Sequence, residues 1–112
     1  MSVPEEGHQR LDLRSLALHR AIADKLAANP ALIELAGENL ERWSLSQGRS
    51  QPYWDAWREI LGHPLPYVLN LMLEESERMT AMRQATPFAG ILEPKERWAI
   101  YRQFERHRPA AT

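Results

Sequence analysis

The chain has no cysteine. Disulfides, thiolate metal sites and cysteine nucleophiles are therefore excluded together. The absence suits a reducing cytoplasm, which is the expected location. Long apolar runs are missing too. The longest candidate, Leu65 to Leu73, is far shorter than the roughly 20 apolar residues a membrane span needs. Met1 to Gln9 carries Glu5 and Glu6 and no apolar stretch, so no signal peptide is expected. Its five glycines are scattered, which leaves neither a phosphate-cradling loop nor a dinucleotide fingerprint. No serine stands in a Gly-x-Ser-x-Gly turn. A net charge of −1 gives no whole-molecule electrostatic case for nucleic acid. No segment alternates apolar and polar residues convincingly, so no strand is expected.

What is present points to helices. At 112 residues, with 44% apolar side chains, the chain is long enough to bury one core without staples. Leu11, Leu18, Ile22 and Leu26 recur at helical spacing, with alanines between them. Asp12 is the expected cap of this first helix, and residues 1–10 are expected to be a disordered tail. Asn29-Pro30 ends it and opens a second helix, which runs to about Trp43 or Leu45 on Leu32, Ala36, Leu40 and Trp43. Ser50 and Pro52 open a short third helix, closed by Gly62 and Pro64. A fourth helix spans Leu65 to Gln84, either unbroken or as two collinear pieces. It carries Met72, Met79 and Met82, which read as core or as an adaptable binding face. Thr86 to Leu92 reads as a turn that tucks Phe88 and Ile91 inward. Pro94 starts a last helix on Trp98, Tyr101 and Phe104 that frays near Pro109. The expected fold is all-α: a single-domain bundle of five to six helices over residues 11–108, with residues 109–112 as a tail.

Three of the four tryptophans sit beside an arginine: Arg42-Trp43, Trp57-Arg58 and Arg97-Trp98. Tyr101-Arg102 repeats the pattern. Neighbours on a helix point about 100° apart, so each pair can bury its ring and leave its guanidinium at the boundary. Trp, Tyr and Arg also dominate protein–protein hot spots. Tyr53-Trp54-Asp55-Ala56-Trp57-Arg58 is the densest aromatic block. It reads either as a core-anchoring helix or as a partner site with Tyr53 or Trp54 half exposed. The candidate partner contacts are Tyr53, Trp54, Trp57, Arg58, Arg97, Trp98 and Arg102. Glu74, Glu75 and Glu77 read as a solvated face or as an acidic docking patch.

No catalytic, cofactor or metal residue is expected, and an enzyme is the least supported class. No two of His8, His19, His63 and His107 stand at metal-ligand spacing, and the i+4 neighbour of His19 is Ala23. They read as surface or boundary histidines. Residues 94–112 concentrate positive charge: Lys95, Arg97, Arg102, Arg106 and Arg108 against Glu96 and Glu105. Nucleic-acid binding through residues 94–108 is the alternative function. Lys95 and Arg97 also lie at the amino end of a helix, where the dipole disfavours cations. That conflict hints at a grip on an acidic partner or a phosphate. A homo-oligomer stays open.

Arg42-Trp43, the Tyr53–Trp57 block, Thr86 to Leu92 and Glu96-Arg97-Trp98-Ala99-Ile100-Tyr101 together resemble small uncharacterised all-helical bacterial proteins, some encoded beside toxin–antitoxin-like genes. The resemblance covers roughly residues 15–105 and is one of general pattern, so it assigns no site residue. It implies an accessory or antitoxin-like partner, with a co-encoded toxin-like enzyme as its first candidate target.

Overall fold

The structure is a computed structural model; it describes residues 3–46 and 48–105, with side chains described from Arg10 onward. Among them are six α-helices and no strand. The helices are α1 (Val3–Ala28), α2 (Ile33–Ser44), α3 (Gln51–Leu61), α4 (Leu65–Met72), α5 (Glu77–Gln84) and α6 (Pro94–Glu105). The all-α bundle is as the periodicity requires. α1 is its spine, and α4, α5 and α6 pack against it. α2 pairs with α3, and α3 continues the layer to α4.

Several boundaries differ from the sequence expectation for local reasons. α1 begins at Val3, so helix runs through most of the stretch expected to be a tail, and Asp12 lies inside it. At the other end, Asn29 makes no side-chain cap; a 3-10 turn, Pro30–Leu32, bridges to α2 instead. The Leu65–Gln84 stretch is two helices. Ser76 caps α5 by accepting the Met79 amide at 3.1 Å. The Arg83 guanidinium closes the break by donating to the carbonyls of Met72 and Glu74, each at 2.9 Å. Arg42 donates to Asn39 Oδ1, and Glu74 accepts the Ser76 hydroxyl. The tail at residues 109–112, with Arg106 and Arg108, lies outside the described residues.

The core gathers Leu26, Leu40, Trp57, Val68, Met72, Met79 and Phe88, all essentially sealed from solvent. The methionine stripe is therefore core. Trp57 anchors the centre. Its indole N–H donates to the Met82 carbonyl at 2.9 Å, and its ring meets Phe88 edge-on at 5.3 Å. An aromatic this large, with its one polar atom satisfied, carries both area and specificity. Trp57→Phe, which deletes the donor and leaves the Met82 carbonyl with the Ala85 amide alone, is expected to cost about 0.5–1.5 kcal/mol. Trp57→Ala is expected to cost about 3–5 kcal/mol. Exposed Arg58→Gln should stay within about 0.5 kcal/mol, its ion pair to Asp55 being solvated. Urea unfolding of the three variants checks the order.

Candidate functional site

The turn Ala85–Glu93 between α5 and α6 has no regular structure of its own, yet Pro87, Phe88, Ile91 and Leu92 are buried. Its backbone groups are met from other elements. Asn39 Nδ2 on α2 donates to the carbonyls of Pro87 (2.9 Å) and Ala89 (3.0 Å). Lys25 Nζ on α1 donates to Ile91 O at 3.2 Å and to Glu96 Oε1 at 2.7 Å. Glu96 Oε1 also accepts the Glu93 amide at 2.7 Å, so it closes the start of α6. These bonds, the Lys25 ammonium first, hold the Glu96 carboxyl below its usual range. Gly90 turns the chain with a φ of 92°, a conformation that favours glycine.

His19 faces this turn from α1 and is only 2% exposed. Its position three and seven residues before Ile22 and Leu26 puts it on the inward stripe of the helix. Nδ1 lies 2.7 Å from the Ser15 carbonyl, and Nε2 lies 2.8 Å from Thr86 Oγ1. A carbonyl only accepts, so Nδ1 carries the proton and Nε2 accepts the Thr86 hydroxyl in the neutral ring. Thr86 Oγ1 in turn accepts the Phe88 amide at 3.3 Å. Burial pulls the His19 pKa from 6.5 down to about 4; the bond to Ser15 opposes this, and the Arg83 charge adds to it. A base this weak has little drive to take a hydroxyl proton at neutral pH. The His19–Thr86 pair therefore acts as a latch between α1 and the turn.

Beside the latch, α1, the end of α5, the turn and α6 enclose a cleft of about 340 Å³. Leu18, Ile22, Phe88 and Leu92 supply its apolar surface, and Tyr101 stands at its α6 side. Three arginines line it: Arg14, Arg83 and Arg97. Its described lining contains no carboxylate. Arg14 lies over the Tyr101 ring, 4.9 Å from the centroid. Arg83 is 4% exposed, and burial pulls its pKa below the arginine norm. Its bonds go to carbonyls and to the Thr80 hydroxyl. Among the described residues, none of the three forms an ion pair. A second groove of about 420 Å³ adjoins the first through Leu11, Arg14 and Tyr101, and adds Arg10, Trp98, Phe104 and Glu105.

The sequence-derived contact residues fall into two groups on different helices. On α3, Tyr53 and Arg58 are exposed, while Trp54 is half-buried against Trp43 with centroids 5.7 Å apart. Trp57 is corrected to a core residue: at 0% exposure it has no surface to offer a partner. The groove beside Arg58 is acidic, lined by Glu34, Glu38 and Glu41. On α6, Trp98 is 55% exposed and edge-on to Tyr101, Arg102 is exposed, and Arg97 is half-buried in the cleft. The third Arg-Trp pair thus reverses the expected order. The inward stripe of α6 is Arg97, Ile100, Tyr101 and Phe104, at i, i+3, i+4 and i+7, and Trp98 stands one residue off it.

Sequence reasoning missed His19, Arg14, Arg83, Thr86 and Asn39. Only His19 carried a signal, its place on the apolar stripe. Among the described residues, no cluster of three or more histidines and carboxylates is placed to hold a metal ion. Comparison with known protein families, with curated proteins and with solved structures gives no match.

The latch makes a pH prediction. Above pH 6.5 the ring is neutral in both folded and unfolded chains. Between 6.5 and about 4 the unfolded chain binds a proton that the native ring refuses, so stability falls with acid. The full loss is on the order of 3 kcal/mol. The stability advantage of wild type over His19→Gln should therefore shrink steadily across that window in urea titrations. An advantage that holds constant would contradict the buried neutral imidazole.

Proposed function

We propose that this chain is a protein–protein interaction module, antitoxin-like or regulatory in kind, working in a bacterial cytoplasm. Its partner lies along the groove between the start of α1 and α6. The observation that carries this reading is Trp98, a large aromatic 55% exposed on a rim that bears Arg10, Arg14 and Arg97. Exposed Trp with neighbouring Arg is the composition of an interface hot spot. Glu105 is the one acidic residue among the described lining of that groove and the adjoining cleft. The complementary partner surface is an amphipathic segment with acidic side chains. Binding rather than catalysis is supported by His19, the best-placed acid–base candidate, whose pKa of about 4 and tie to a backbone carbonyl suit structure. The general resemblance to small all-helical bacterial proteins, some encoded beside toxin–antitoxin-like genes, makes a co-encoded toxin-like enzyme the first candidate partner.

The test is co-purification of the intact protein with its bound partner from its own host, followed by titration of that partner. Trp98→Ala combined with Arg102→Glu is expected to weaken the complex by about 2 kcal/mol, roughly thirty-fold. Tyr53→Ala combined with Arg58→Glu is expected to leave it unchanged. The opposite ranking moves the interface to α3. Co-purifying nucleic acid released by salt replaces this reading with the nucleic-acid alternative.

A further inference from the structure

The cleft beside the latch differs from the other grooves in its chemistry. It combines an apolar floor with cations that form no ion pair among the described residues. Leu18, Ile22, Phe88 and Leu92 offer only apolar contact. Arg14 and Arg97 reach the same cavity from α1 and α6, and neither makes an ion pair among the described residues. Behind them Arg83 places a third, buried positive charge, hydrogen-bonded to backbone carbonyls and attracted through space by Asp12, Glu75 and Glu74 without an ion pair to any of them. Half-buried guanidinium groups beside an apolar cavity are worth more to an anion than surface ones, because the local dielectric is lower. Planar guanidinium groups also match a carboxylate in shape and donor placement. The volume, about 340 Å³, falls at the small end of the range for small-molecule sites.

We propose that the cleft between α1, the Thr86–Leu92 turn and α6 binds a small apolar carboxylate, with its hydrocarbon body on Leu18, Ile22 and Phe88 and its carboxylate between Arg14 and Arg97. The floor is why inorganic anions are the poorer ligands: they leave the apolar surface uncovered. The missing acids are why a neutral hydrocarbon is poorer too: it leaves the guanidinium groups partly desolvated and unpaired. The site shares Arg14 and Arg97 with the rim of the partner groove, but it lies in the inner cleft and needs no second protein.

The experiment is titration of the intact protein with octanoate, 1-octanol and inorganic phosphate, followed by calorimetry and by backbone amide shifts. Octanoate is expected to bind with a dissociation constant below about 1 mM. 1-Octanol and phosphate are each expected to bind roughly ten-fold more weakly or worse. Amide shifts should centre on His19 and on Phe88 to Gly90. Arg97→Gln should weaken octanoate by roughly ten-fold and leave 1-octanol unchanged. Unchanged thermal unfolding of that variant shows that the fold persists. Equal affinity for octanoate and 1-octanol, tighter binding of phosphate, undiminished octanoate binding by Arg97→Gln, or shifts centred on α3 would each overturn the proposal.

Discussion

A buried turn must have its backbone polar groups satisfied from outside, and the rest of this molecule is arranged around that constraint. The segment Ala85–Glu93 inserts Phe88 between Trp57 and His19, at centroid distances of 5.3 and 6.0 Å. Without partners, its carbonyls would oppose burial at about 1–3 kcal/mol each. Asn39 takes two of them, Lys25 takes one, and Thr86 turns its hydroxyl to the Phe88 amide. Those partners come from α1, α2 and the turn itself. The turn therefore ties the α1 spine to α2.

The same logic explains the buried charges. Arg83 is not an ion-paired surface residue that happened to be covered. It closes the carbonyl ends left where α4 breaks, and its charge helps keep His19 neutral. His19 in turn is useful as a neutral two-ended connector, donating from Nδ1 and accepting at Nε2. A protonated ring would have to reverse the Thr86 bond, donating to a hydroxyl that already accepts the Phe88 amide, and would meet Arg83 with like charge. Packing, hydrogen bonding and electrostatics agree on one protonation state.

Charge is divided across the surface. Arginines gather where α1 meets α6, and glutamates line the groove where α2 meets α3. Trp98 stands exposed on the cationic side, outside the inward stripe of its helix. The partner reading and the carboxylate site both draw on this side. They share Arg14 and Arg97; Trp98 and Arg102 serve the partner reading alone, and the apolar floor of the cleft serves the carboxylate alone.

Helical periodicity in the leucines, with stops at Asn29-Pro30, Gly62 and Pro64, was enough to define an all-α bundle and most of its helix ends. So was the inward tuck of Phe88 and Ile91, because apolar residues in a short polar-flanked turn have few other places to go. Local pattern is where such signals live: each depends on residues within a turn or two of one another. The site depends on residues far apart in sequence. Asn39 to Pro87, His19 to Thr86 and Lys25 to Glu96 are each separated by dozens of positions. Which neighbour faces the core was also beyond local pattern. Trp57 and Trp98 look alike beside their arginines, yet one is sealed and the other exposed, because the rotation of a helix about its axis is set by what packs against it. Composition determined that there would be a helical core; tertiary packing decided which cations were left without acids, and so where a ligand has reason to bind.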